Sequence, residues 1–366
     1  MNRLIVFVGI AVFIVAGFVF RQLIKEPNVC HNLAQTGDYV KDLDKVNRCI
    51  ENGKLDNKRL SAVYVLRGIA HSSLDQEQLA LADLEKSLSL DPGNGNAFII
   101  RGMLYSTKGK LKQAIQDLDR SIQILGNNNV AYMYRGIAHA LLGNNQMAIH
   151  DFDQSIVSNP ENPLAYALRG AAYGELKQYK KAIDDCNHAI ALDDKGIEIF
   201  DIRASVYAKS GNFDAAMQDV DRAIALDPGN ARGYFTKAKV FRGMKQYDKA
   251  LQGLEKSMDV DRKYVATYNA LAWLQATCPD AMHRDGKNAI KMARIAISYE
   301  KSPEHYDTLA ASLACDSQYD QAVAAQRQAI QMAKEEGFSK DIVDKMERRL
   351  KIYGENKPFI TEEEEL

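Results

Sequence analysis

From residue 61 to about residue 264, apolar and polar positions return in the same order every 34 residues. An aromatic series runs Tyr64, Phe98, Tyr132, Tyr166, Phe200, Tyr234 and Tyr268. A series of small residues runs Gly68, Gly102, Gly136, Gly170, Ala204, Ala238 and Ala272, and another runs Ala80, Ala114, Ala148, Ala182, Ala216 and Ala250. The three registers stay in phase without insertion, which predicts a linear array of equivalent two-helix units. Inside one unit the apolar spacing is helical twice over. Asn162 is an N-cap candidate, with Asn94, Asn128 and Asn230 at the same place. Leu164, Ala167, Leu168, Ala171 and Ala172 then form one face. The pattern breaks near Lys177, where other units carry Gly109, Gly143 and Gly211, residues suited to a left-handed helix end. A second helix carries Tyr179, Ala182, Ile183, Cys186, Ala189 and Ile190, and Pro92, Pro160 and Pro228 stop it in alternate units. Gly170 facing Ala182 and Ala189 predicts a close crossing with the Tyr166 ring beside it. The fold class read from this pattern is all-α.

Composition adds exclusions. The chain has 366 residues, 46% hydrophobic and 26% charged, with a net charge of −1. That balance provides no field for nucleic acid. A charge register rides on five units: Arg67, Arg101, Arg135, Arg169 and Arg203, each followed sixteen residues later by Asp83, Asp117, Asp151, Asp185 and Asp219. These are either a ladder of interhelical ion pairs or pairs of solvated charges; repetition argues against a catalytic role. The register ends at Lys237 and Gly253. His71 and His139 stand two units apart, His150 and His188 are isolated, and there is no CxxC or Cys/His cluster. No nucleophile–base set, phosphate loop or carboxylate pair is recognisable. The expectation is no catalysis, no metal, no cofactor and no small-molecule substrate.

The registers resemble those of tetratricopeptide repeat proteins. That family has an aromatic at the fourth place, Gly or Ala at the eighth, an aromatic at the eleventh, Ala at the twentieth and often Pro at the thirty-second. Phe200, Ala204, Tyr207, Ala216 and Pro228 occupy these places in one unit, and Phe98, Gly102, Tyr105 and Ala114 do so in another, where Gly126 replaces the Pro. His71 and His139 depart from the pattern at the eleventh place. The resemblance implies a right-handed α-solenoid of about seven to eight helix–turn–helix units over residues 57–336, starting near 61, 95, 129, 163, 197, 231, 265 and 303. It also implies a concave groove lined by first helices, where a protein or peptide partner lies. The groove places hold Val65, Ile69, Ile99, Met103, Met133, Ile137 and Leu141 in early units. Later units offer Glu175, Asp201, Lys209, Phe235, Lys239, Arg242, Asn269 and Trp273. An apolar first half and a charged second half suit an amphipathic peptide. The Lys/Asn clamp by which some members hold a C-terminal carboxylate is not recognisable.

The flanks carry their own signals. Leu4–Phe20 is free of charge and bracketed by Arg3 and Arg21; at ~1.5 Å per residue it spans roughly 26 Å. It reads as a membrane anchor within residues 1–27, with a cleaved signal peptide as the rival. A short head before the run places the chain beyond the anchor outside the cytoplasm, at the inner membrane. Residues 28–56 read as a degenerate hairpin, because Gly37-Asp38-Tyr39 matches the turn Gly211-Asn212-Phe213. Aligned on that turn, Cys30 and Cys49 fall at places where paired helices of this family approach closest. That implies a disulfide, or else two small buried thiols. A Cys-closed hairpin of this kind resembles exported bacterial members of the family. Cys186 reads as core, and Cys278 and Cys315 lie at nearly the same level of successive units, leaving their pairing open. The seventh unit is stretched between Thr277 and Gly286, the eighth holds Tyr306, Ala310, Ala322 and Ala329, and Asp341–Tyr353 reads as a capping helix. The end, Thr361 to Leu366 with four glutamates, reads as a solvated tail within residues 337–366. The function expected is a membrane-tethered scaffold or adaptor in cell-envelope assembly. The alternative is a regulatory or sensor subunit on the cytoplasmic face.

Overall fold

A computed structural model describes residues 39–51 and 55–361. Residues 4–20, the expected anchor, and Cys30 lie outside the described residues, as do Glu362–Leu366. Among the described residues there are eighteen α-helices, one 3-10 turn and no strand. In chain order they are α1 Tyr39–Glu51, α2 Asn57–Ser73, α3 Glu77–Leu90, α4 Gly95–Thr107, α5 Leu111–Leu125, α6 Asn129–Leu141, α7 Asn145–Ser158, α8 Pro163–Glu175 and α9 Tyr179–Leu192. They continue with α10 Ile197–Lys209, α11 Phe213–Leu226, α12 Ala231–Gly243, α13 Tyr247–Val260, α14 Val265–Thr277, α15 Gly286–Tyr299, α16 Pro303–Cys315, α17 Tyr319–Glu336 and α18 Lys340–Gly354. No described helix is long and apolar enough to cross a membrane. The chain forms two compact units, one of residues up to Leu141 with His150–Pro160, the other of Leu142–Ile149 with Glu161 onward.

Local chemistry sets the helix ends. The Asn94, Asn162 and Asn230 side chains accept from Ala97, Leu164 and Arg232 N–H groups, and Asn128 accepts from both Val130 and Ala131. These are the orphan donors of a first turn. The turn between paired helices passes through a left-handed residue at Asp75, Gly109, Gly143, Lys177, Gly211 and Lys245, six positions in strict register. Glycine takes that conformation freely, whereas a Cβ costs about 1–2 kcal/mol there. Lys177→Gly is therefore expected to raise stability by about 0.5–1 kcal/mol, net of the entropy glycine adds to the unfolded chain. A chemical-denaturation midpoint unchanged or lowered would contradict this. Second helices stop at an Asp in extended conformation: Asp91, Asp193, Asp227 and Asp261. Each carboxylate accepts the N–H two residues on, at 2.8–3.0 Å. The stop is thus an Asx turn, with proline following it in some units only.

Helix pairing buries the small residues. A Cβ on Gly170 would lie 2.8 Å from the Ala182 carbonyl oxygen and 3.0 Å from the Cys186 sulfur. Ala182, Cys186 and Ala189 are fully buried. In the second unit the stretched turn after α14 holds the 3-10 turn Ala281–His283, and α15 resumes at Gly286. Helix α18 packs Val343, Met346 and Tyr353 inward, and at its start the Ser339 N–H donates to the Leu142 carbonyl at 2.7 Å.

The cysteines divide. Cys186, Cys278 and Cys315 are free thiols, so Cys278 and Cys315 do not pair; Cys315 lies 3.8 Å from the Gln275 carbonyl instead. Cys49 is buried against Val46, Val63 and Leu66; Cys30, its expected mate, lies outside the described residues.

Candidate functional site

The charge register forms a ladder. In each of five hairpins the arginine on the first helix grips the aspartate on the second with two bonds, Nε to Oδ2 and Nη2 to Oδ1, at 2.6–2.9 Å. The five carboxylates are 2–9% exposed, so these are bidentate, largely desolvated pairs rather than solvated charges. In three of these pairs the remaining guanidinium nitrogen is seen to reach back to the preceding second helix. Arg67 donates to Asn47, Arg135 to Asp119 and Arg203 to Asn187 at 2.6–3.1 Å, and Lys237 continues this outer rail to Asp221 at 2.9 Å. Each arginine also lies over the aromatic ring three residues earlier, Tyr64, Phe98, Tyr132, Tyr166 or Phe200, at 5.1–5.9 Å. The hydrogen bonds to aspartate hold the Arg67, Arg101, Arg135 and Arg203 guanidiniums above their ordinary range. The ladder ties helix to helix and hairpin to hairpin, which is a structural task. A double-mutant cycle on Arg135→Ala and Asp151→Ala is expected to return a coupling of about 1–2 kcal/mol, against near zero for a solvated pair.

Two histidines stand beside polar groups inside the fold. His139 and His305 are 7% and 1% exposed, and desolvation holds both imidazoles below the ordinary 6.5. The unfolded chain then binds protons that the folded chain refuses. Stability is full above about pH 6.5 and falls as pH drops below it. The melting temperature should decrease from pH 7.5 to 5.5, and His139→Gln should flatten that slope.

The expected groove residues separate by burial. Val65, Ile69, Ile99, Met103 and Ile137 have no exposed surface, and Met133 and Leu141 are 4% and 3% exposed. These seven are core residues in the folded chain: apolar side chains at these places gain about 1.5–3 kcal/mol each by leaving water. They present no open apolar surface. Asp201 and Phe235 are also buried, Phe235 edge-on to Tyr264 at 5.5 Å. Lys239, Arg242, Asn269 and Trp273 remain half-buried. Lys239 lies over the Phe235 ring, and Glu175 pairs with Lys209 at 2.5 Å. The accessible candidates thus belong to the second unit, on α8, α10, α12 and α14.

One of them is occupied. The Trp273 ring on α14 packs against Phe359, centroids 6.0 Å apart, and the Arg349 guanidinium lies 5.4 Å from the Trp273 ring and 5.5 Å from the Phe359 ring. The Thr361 N–H donates to the Thr277 carbonyl at 2.9 Å and its hydroxyl to the Thr277 hydroxyl at 2.7 Å. Arg349 is fixed in turn by two bonds to Asp307, at 2.9 and 2.8 Å, and Gln326 donates to the same carboxylate. Thr361 is therefore not part of a solvated tail; it is 5% exposed. Trp273 stands among the groove candidates that the sequence offers. Arg349, Asp307, Phe359 and Thr361 do not, although the apolar pair Phe359-Ile360 just before the four glutamates is a signal in that stretch.

A sequence model described as Tetratricopeptide repeat matches residues 61–94, 96–125, 164–195 and 197–230. Residues 61–125 and 164–230 carry tetratricopeptide repeats. Such repeats generally serve as non-catalytic scaffolds for protein–protein interaction. Among solved structures, yeast Tom70 shares 19% identity at a TM-score of 0.53, covering 85% of this chain and 62% of that one. Cut9 in the APC/C Cut9–Hcn1 hetero-tetramer shares 19% identity at 0.53, covering 68% of this chain and 50% of that one. MamA shares 24% identity at 0.36, covering 45% of this chain and 96% of that one. The likenesses to Tom70 and to the Cut9–Hcn1 assembly concern the fold alone. None of the curated proteins matches the chain. Among the described residues of the tetratricopeptide array no three His, Cys, Asp or Glu side chains gather as metal ligands.

Proposed function

We propose that the chain is a non-catalytic scaffold that holds polypeptide partners on the first helices of its repeats, tethered to a membrane through residues 4–20. The observation that carries it is on α14, where a short piece of polypeptide without helix or strand already lies against a first helix. That piece is held by a backbone hydrogen bond and an aromatic contact. Main-chain contacts supply affinity for any extended peptide and a side-chain slot supplies selectivity. Buried apolar positions leave selection to the half-buried polar set Lys239, Arg242 and Asn269 together with Trp273. A photo-crosslinking residue at Lys239 should capture a polypeptide in membranes, while one at exposed Glu255 on α13 should not. Equal capture at both would defeat the reading.

Export and a place in cell-envelope assembly belong to the same proposal. Support comes from the uncharged run Leu4–Phe20 and from the places of Cys30 and Cys49, which suit a disulfide of an oxidising compartment. The second reading, a regulatory or sensor subunit on the cytoplasmic face, draws on the three free thiols Cys186, Cys278 and Cys315, which a reducing compartment tolerates. Thiol labelling of Cys30 and Cys49 in cells separates the two. Protection that reductant removes supports export; full labelling without reductant favours the cytoplasm.

A further inference from the structure

Residues 357–361 come after the last helix without helix or strand of their own. Lys357 and Pro358 are exposed and Ile360 is half-buried, while Phe359 packs against the core residues around Ala276, Ala310 and Tyr353, and Thr361 is buried. Three anchors hold them. Phe359 lies against the Trp273 ring beside the Arg349 cation, the Thr361 N–H meets the Thr277 carbonyl, and the two threonine hydroxyls meet. The receiving side is better fixed than the strap. Arg349 is held by Asp307, Asp307 by Gln326, and the Thr277 hydroxyl also donates to the Trp273 carbonyl at 2.8 Å. The Thr277 carbonyl belongs to the last turn of α14, where a carbonyl has no partner within its own helix. It accepts from whichever backbone N–H is brought to it, so the strap's place does not require the strap's own sequence at that contact.

A receiver fixed by hydrogen bonds, with an aromatic–cation slot filled by a short segment without helix or strand, has the form of a peptide site occupied by its own chain. We propose that residues 357–361 are a displaceable latch on α14. The latch keeps the site closed until a partner segment of the same chemistry takes its place: an extended stretch with an aromatic residue and, two places on, a Thr or Ser. This rests on the scaffold reading above and adds its regulation. Segments with few buried contacts open with low free energy while the elements beneath stay folded. Release of the latch therefore raises apparent affinity by restoring the fraction of receptive sites.

The chain's single tryptophan is Trp273, so its emission reports the slot directly. The probe is a synthetic peptide of residues 355–366, titrated into the full-length chain and into the Phe359→Ala/Thr361→Ala variant. The variant should bind with a saturable change in Trp273 emission, at least tenfold tighter than the wild-type chain. A second variant, Thr277→Cys with Thr361→Cys, should lose peptide binding when oxidised and regain it with reductant, whether or not the first variant folds well. Equal curves for wild type and variant, or binding by the locked form, overturn the latch. An oxidised variant that runs as a covalent dimer also overturns it, because the strap would then be exchanged between copies. If the titration is flat while Lys239 still captures polypeptides, the latch fails and the scaffold reading stands. If the titration succeeds and Lys239 captures nothing, the scaffold reading fails.

Discussion

Arg349→Ala is expected to lower the stability of the chain by about 3–5 kcal/mol, because it leaves the Asp307 carboxylate buried without its cation. Asp307 and Arg349 are 6% and 8% exposed, and they join α16 to the capping helix α18 through two bonds of 2.8–2.9 Å. Gln326 donates one further bond to Asp307, which cannot replace a full positive charge. The pair is also not indispensable as a pair. Asp307→Leu with Arg349→Met removes both charges at similar volume, and Gln326 keeps the Met346 carbonyl as an acceptor at 3.1 Å. The double variant should recover most of the loss. Urea unfolding followed by Trp273 emission and circular dichroism measures both. A single variant costing under about 1 kcal/mol, or a double variant as unstable as the single, would show that the charge is not what the cap depends on.

Gly170→Leu should cost about 3 kcal/mol, the upper end for overpacking a tight contact. The Cβ alone would press on a backbone carbonyl at 2.8 Å, an atom that cannot rotate away. Gly170→Ala should cost about 1 kcal/mol or less, because alanine's helix propensity returns nearly that amount. Ala204 and Ala238 fill the same place in later units, both 0–2% exposed, so the family of contacts admits a methyl where the pair stands slightly wider. Finding Gly170→Leu as stable as Gly170→Ala would mean that the helices are not held at this spacing.

The repeat legible in residues 61 to 264 marks the helices, their Asn caps and the Arg–Asp register, though not whether those charges pair. In an array each unit touches chiefly its neighbours, so every structural contact recurs at the same separation and leaves a register in the chain. The ladder shows this well, with sixteen residues between partners five times over. The left-handed turn was half visible: glycine marked three positions, and Asp75, Lys177 and Lys245 adopt the same conformation without the residue that advertises it.

Two things were decided only by tertiary structure. A position on a first helix looks the same in sequence whether its side chain meets solvent or the core, so the burial of Val65, Ile99 and Met103 could not be read from their spacing. The strap is the other. Thr361 and Thr277 are 84 residues apart and meet once. A contact made a single time leaves no period, and its partners, a threonine at a helix end and a phenylalanine in a polar stretch, are ordinary residues apart from each other. The sequence by itself determined what repeats; the tertiary structure decided what happens once, because only folding brings such groups together.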